Sequence, residues 1–173
     1  MSVLRALVGL VVVLLAVVLQ ASLFPHFAWH GVVPDLALLV VVGAALVRGA
    51  QYGAVLGFVA GLAVDLSPPS DHIAGRWALA LVIVGYVAGR VRQDAHRDRP
   101  GPTQVVLTVA ACSFVGTSVF ALSGLLLKDP LIDVDEMLTT ILVALVWDVL
   151  LAPFVLPLVM MLFARLRPSR VAF

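Results

Sequence analysis

An all-α fold that crosses a lipid bilayer repeatedly is what these 173 residues predict, and three observations predict it. The first is composition. The chain is 62% hydrophobic and 12% charged, with a mean hydropathy of +1.14, against roughly 45–50% and about 25% in soluble domains. A water-soluble core of this size cannot hide so much apolar surface. The second is distribution: apolar residues gather into six stretches, roughly 4–24, 34–47, 50–66, 75–91, 104–127 and 137–164, most of them near the ~20 residues a spanning helix needs. The third is charge segregation. With six spans and a cytoplasmic N-terminus, Arg5, Arg48, Arg90, Arg92, Arg97, Arg99, Arg165, Arg167 and Arg170 lie inside. Arg76 and Lys128 lie outside, beside Asp129, Asp133, Asp135 and Glu136. Excess Lys and Arg on cytoplasmic loops is the rule for such chains. The expectation is a single transmembrane domain over 1–173 with both termini in the cytoplasm.

The first stretch, with Arg5 ahead of an apolar run from Ala6 to Leu19, has the look of a signal peptide. The run is long for one and no Ala-x-Ala follows it, so it reads as a retained span that Pro25 ends. The second stretch is short. Leu36 to Val47 reaches about 18 Å as a helix, against a hydrocarbon core of ~30 Å, so it must extend through Val32–Asp35 or fail to cross fully.

The third stretch holds the sharpest pattern. Gly49, Gly53, Gly57 and Gly61 recur every four residues, and Asp65 continues the row. Small residues at this spacing let two helix backbones approach closely, in a right-handed crossing near about −40°. Intramolecular packing is the expectation for Gly49 and Gly53. For Gly57 and Gly61, packing and partner binding stand side by side. Asp65 ends the third span at the depth where Asp35 begins the second, which would place two carboxylates together near the outer surface as a site for a cation or polar head group. Pro34-Asp35 otherwise reads as a helix first turn, where Pro is tolerated and an acid suits the macrodipole. That cap is the expectation for Asp35, and for Asp65 both readings stand.

After the fourth stretch, the basic Arg90–Pro102 connection sets topology or attracts anionic lipid, with Asp94 and Asp98 diluting its charge. The fifth is rich in small and hydroxyl residues, Cys112, Ser113, Gly116, Thr117, Ser118, Ala121, Ser123 and Gly124. It has no GxSxG, and no span holds a histidine to activate a serine. The sixth carries Asp148 near its centre, on one face with Thr140, Ala144 and Ala152. An acid there costs roughly 2.5–3.5 kcal/mol on insertion, so it marks either a functional group or a hydrogen bond that fixes helix register. Pro153 and Pro157 remove backbone donors one turn apart, which predicts a kink that lines a cavity or simply bends the helix.

Chemistry is otherwise thin. Cys112 is the single cysteine, and His26, His30, His72 and His96 all fall in connections without an HExxH spacing. Neither a Walker loop nor GxGxxG is present. No catalytic residue, metal, cofactor or nucleic-acid partner is expected.

The run Pro34-Asp35-Leu36 into Arg48-Gly49, then Gly57-Phe58-Val59-Ala60-Gly61-Leu62-Ala63-Val64-Asp65-Leu66, resembles the rod shape-determining protein MreD family. So does the close of the first span at Gln20 and Leu23-Phe24-Pro25. The resemblance covers almost the whole chain, and the Ser67–His72 connection with its double proline departs from it. It implies a non-enzymatic component of the bacterial cell-wall elongation machinery in the cytoplasmic (inner) membrane, from a GC-rich bacterium. It implies binding to MreC, and work beside MreB filaments and the glycosyltransferase and transpeptidase of peptidoglycan synthesis. Asp35, Gly57, Phe58, Gly61 and Asp65 are the family-type positions, and the implied fold is similar to the substrate-binding membrane subunits of energy-coupling-factor transporters. The competing reading is a small-molecule- or lipid-binding transporter subunit, which needs a cavity of several hundred Å³ lined by polar groups around Asp148, Thr117 and Ser118.

Overall fold

The computed structural model describes residues 3–29, 31–68, 73–94, 101–127 and 134–165. Six helices follow one another: α1 (Val3–Ser22), α2 (Leu36–Arg48), α3 (Ala50–Asp65), α4 (Arg76–Asp94), α5 (Pro102–Leu126) and α6 (Val134–Arg165). A 3-10 turn, Phe24–Phe27, follows α1, and an isolated bridge pairs Trp29 with Val32. His30, His72, His96, Arg97, Asp98, Arg99, Lys128, Asp129, Asp133, Arg167 and Arg170 lie outside the described residues, as does most of the double-proline connection. The side chains of Arg5, Asp94, Asp135 and Glu136 lie outside them too.

α2 forms the centre of the bundle. Every residue from Leu36 to Val47 is buried, and α1, α3, α4, α5 and α6 all touch this helix. A helix apolar all round belongs in an interior. Its 13 residues rise only about 20 Å, short of the ~30 Å hydrocarbon thickness. The second stretch therefore does not gain length by drawing Val32–Pro34 into the helix. That segment stays non-helical, because Asp35 caps the helix immediately behind it. By length and composition, α5 and the Met137–Arg165 part of α6 suffice to cross a membrane, whereas Ala6–Ser22, α2 and α3 are shorter apolar helices.

Gly49 alone separates α2 from α3. Its φ of 93° is left-handed, a conformation that strains any residue with a Cβ. The Gly49 amide closes α2 on Ala45 O at 2.7 Å, and the Gly49 carbonyl opens α3 by accepting from Gly53 N at 3.0 Å.

α3 then packs along α4 with the backbones nearly in contact. A Cβ on Gly57 would run into the Leu81 carbonyl, one on Gly61 into the backbone of Trp77 and Ala78, and one on Gly53 into the Gly85 carbonyl. The seam is two-sided, since a Cβ on Gly85 would strike Gly53 and one on Gly89 would strike Ala50. As residue numbers rise on α3 they fall on α4, so the helices are antiparallel. With small residues at the crossing, the van der Waals contact between main chains holds the pair together where no hydrophobic force acts between helices in lipid.

α6 lies against the opposite side of α2, where Gly43 faces Val159 and Leu156. Helix α6 continues through Pro153 and Pro157 without interruption. Both prolines are exposed, and neither is among the residues that line the cavity described below. At the Gly49 end, the Arg48 guanidinium sits 5.0 Å from the Tyr52 ring, and Tyr52 meets Phe163 of α6 edge-on at 5.9 Å.

Candidate functional site

Because α2 starts inside the bundle, its first backbone N–H groups cannot turn to bulk water. A helix leaves four such donors at its start, and each costs several kcal/mol if left bare in a dry interior. Side chains from two other helices and the cap residue meet this demand. Asp35 is the N-cap, and its Oδ1 accepts from Leu38 N at 2.9 Å. Asp35 N donates to Asp148 Oδ1 at 2.9 Å. Ala37 N donates to Gln20 Oε1 of α1 at 3.2 Å. Ser113 of α5 in turn donates its hydroxyl to Asp148 Oδ2 at 2.7 Å. Asp148 is fully buried and accepts through both oxygens, tying the middle of α6 to the start of α2 and to α5. Asp35 Oδ2 has no hydrogen-bond partner among the described residues.

The start of α4 is built the same way. Asp65, at the end of α3, is 2% exposed. It accepts from Gly75 N at 2.9 Å, Trp77 N at 3.1 Å and Ala78 N at 3.1 Å. This carboxylate caps the neighbouring helix, on which an acid also matches the positive end of the dipole. With the first turn of α4 so fixed, Arg76 is 3% exposed. Its Nη2 donates to Phe120 O at 2.8 Å, and the guanidinium lies 4.0 Å from the Phe120 ring centre. Trp77 stacks on the same ring at 4.5 Å. Cation and aromatic faces attract each other in this arrangement.

Above the start of α2, and flanked by these groups, is a cavity of about 360 Å³. Gln20, Gly31, Val32, Val33 and Asp35 line it, with Arg76 and Trp77 of α4, Thr117, Phe120 and Ala121 of α5, and Met137, Thr140, Ile141 and Ala144 of α6. Its volume is within the range of small-molecule sites, and its walls are mostly apolar with a few convergent polar groups, as in such sites.

The residues singled out in the sequence are thus distributed over two places. Asp35 forms the cavity floor, Asp148 lies among its supports, and Asp65 holds the wall through α4. Asp35 meets α6 through its N–H, and Asp65 meets the start of α4. Gly53, Gly57 and Gly61 form the α3–α4 seam, while Gly49 makes the turn at the far end. Phe58 is 50% exposed on the outward face of α3. Ser118 is not part of the lining, although Thr117 is. Sequence reasoning gave Arg76, Trp77 and Phe120 no role in a site, and met Gln20 and Ser113 only as a family mark and a small hydroxyl residue. One signal was available for the seam: Gly85 and Gly89 on α4 repeat the four-residue spacing of α3.

The arrangement suits binding rather than bond making. The carboxylates of Asp65 and Asp148 are engaged with backbone amides and a hydroxyl. Among the described residues no group of three or more His, Cys, Asp or Glu is gathered as for a metal ion. No curated protein and no solved structure matches the chain. The family model for the rod shape-determining protein MreD, however, matches residues 1–165, nearly the full 173. The chain therefore belongs to the MreD family, membrane proteins with a role in determining rod shape.

Proposed function

We propose that the protein is a non-enzymatic scaffold of the bacterial cell-wall elongation complex, anchored in the inner membrane by six spans with both termini in the cytoplasm. It binds MreC, and through that complex works beside MreB and the peptidoglycan glycosyltransferase and transpeptidase. The observation that carries this reading is the use made of the buried acids. Asp35, Asp65 and Asp148 each accept backbone N–H groups at the start of a helix, so the strongest polar groups in the bundle fix its architecture. The outward faces are broad and apolar: Leu15 and Val18 on α1, Val55 and Phe58 on α3, and Leu150 and Phe154 on α6 stand at least half exposed. Such faces meet either lipid or the membrane helix of a partner. A cavity at one end of a helical bundle also suits the likeness to energy-coupling-factor subunits.

Affinity purification of the tagged full chain from membranes in mild detergent tests the reading. MreC is expected in the eluate at near-stoichiometric amount, and its absence beside intact protein overturns the scaffold role. The six-span topology has its own test. Reporter fusions after Arg97 and after Asp133 should land in opposite compartments, and landing in the same one removes the proposed arrangement.

A further inference from the structure

The bundle does not present one apolar height to the lipid around it. On the side of α2 that carries α1 and α3, which touch each other, the apolar stretches are Ala6–Ser22 and Ala50–Asp65. They rise only about 24–26 Å, against ~30 Å of hydrocarbon. On the other side, α5 and the Met137–Arg165 part of α6 rise about 37–44 Å. Exposed apolar side chains mark that greater height, from Leu138 to Leu162 on α6. Polar residues limit the short side. Gln51 is exposed at the Gly49 end of α3. Ser67 follows the other end, where Asp65 is committed to the first amides of α4. Tyr86 of α4 repeats the inner mark. Gly85 lies against Gly53, so Tyr86 stands level with the first turn of α3, and it is 49% exposed. A lipid-facing tyrosine belongs at the membrane–water interface, where its hydroxyl meets water. Hydrocarbon of ordinary thickness would cover Gln51 and Tyr86 at one end or Ser67 at the other, and a serine is too short to snorkel out.

We infer that the protein thins the bilayer along its α1–α3 side and leaves it at ordinary thickness beside α5 and α6. A helix with too short an apolar stretch draws the lipid boundary toward its ends, whereas one that is too long tilts. The partner this face fits is a layer of phospholipid with short chains. The inference goes beyond the scaffold role and rests on the membrane-spanning reading of α3 and α4, not on MreC. Label depth and MreC recovery therefore fail separately.

Nitroxide labels on single introduced cysteines test it in the full chain, reconstituted in dioleoyl phosphatidylglycerol vesicles. Depth is read from collisions with oxygen and with a water-soluble nickel chelate. The native Cys112 is buried, so the label goes to the introduced thiol. Gln51→Cys and Ser67→Cys bracket α3. Leu142→Cys and Leu158→Cys stand the same number of residues apart on α6, both more than half exposed. The α3 pair is expected at the polar boundary. The α6 pair is expected about 3 Å or more inside it at each end, half of the shortfall of about 6 Å. In dimyristoleoyl vesicles, whose core is thin throughout, this difference should disappear. An α3 pair as deep as the α6 pair overturns the inference, and so does an α6 pair as shallow as the α3 pair, which means thinning on all sides. A difference that persists unchanged in the thin vesicles overturns it as well. Phe58→Cys, midway along α3, must read hydrocarbon, and a label in water there removes the membrane-spanning reading itself.

Discussion

The central helix α2 is held on two sides by different physics. On one side α3 and α4 meet through glycines, main chain against main chain, with Asp65 capping α4 at one end of the seam. On the other, α5 and α6 reach α2 through Asp148, Ser113 and larger apolar side chains, and leave a cavity where α2 begins. The first side derives its strength from closeness, and tolerates no added atom because backbone cannot rotate away. The second derives it from satisfied hydrogen bonds, and tolerates shape change better than the loss of an acceptor.

Volume added on each side exposes the difference most sharply. Gly57→Leu should destabilise the bundle by at least about 3 kcal/mol, at or beyond the upper end for overpacking, because its Cβ meets the Leu81 carbonyl. Gly116→Ala on α5 should cost less than about 1 kcal/mol. There the nearest atoms are the tips of Val84 and Leu38, at 3.0 and 3.2 Å. Yield and thermal midpoint in detergent measure both. Similar losses in the two variants would erase the distinction between the sides.

Removing an acceptor reverses the test. Asp148→Leu leaves Asp35 N–H and the Ser113 hydroxyl without their partner, and should cost about 2–6 kcal/mol at 1–3 kcal/mol for each of the two bare groups. Asp148→Asn keeps one carbonyl oxygen for Asp35 N and offers its N–H₂ to the Ser113 oxygen, so about 1 kcal/mol is expected, with MreC still recovered. A cost for Asn equal to that for Leu would show that the negative charge itself, and not the hydrogen-bond pattern, holds α2 to α6.

Asp65→Ala should follow with about 2 kcal/mol, the upper end for loss of an N-cap, since Gly75 N and the α4 amides of Trp77 and Ala78 lose their acceptor together. Asp65→Asn should restore most of that stability. Thermal unfolding of the pair decides whether Asp65 works as a cap. If alanine is neutral, the start of α4 is held by other contacts.

These two sides were unequally legible in the sequence. The glycine row announces close packing through its four-residue spacing, and a second row on α4 was there to be paired with it. Which helix answers the row is a long-range fact, and no local pattern carries it. Asp148 was visible as a misplaced charge, and Asp35 as a cap behind proline. Their meeting was not, because it depends on α2 starting deep in the bundle, and the short second stretch left open whether that helix extends or stops. Arg76 looked like an ordinary outer charge. Its burial follows from Asp65 capping the turn beside it, an acid at the end of one helix serving the start of the next.

Phe58 lies outside both sides and gives the smallest stability effect. It shares the outward face of α3 with Val55, Leu62 and Leu66, all exposed, roughly a quarter turn from the glycine seam. Truncating a half-exposed side chain on the outer surface changes stability by about 0.5 kcal/mol, so Phe58→Ala should nearly keep its thermal midpoint. If the proposed MreC contact uses this face, recovery of MreC should fall at least about fivefold, the effect of losing a little over 1 kcal/mol at an interface anchor. Unchanged recovery at unchanged stability would assign the α3 face to lipid and move the partner contact to α1 or α6, whose apolar faces are as exposed. Because the two readouts are independent, this substitution separates what holds the bundle together from what the bundle holds.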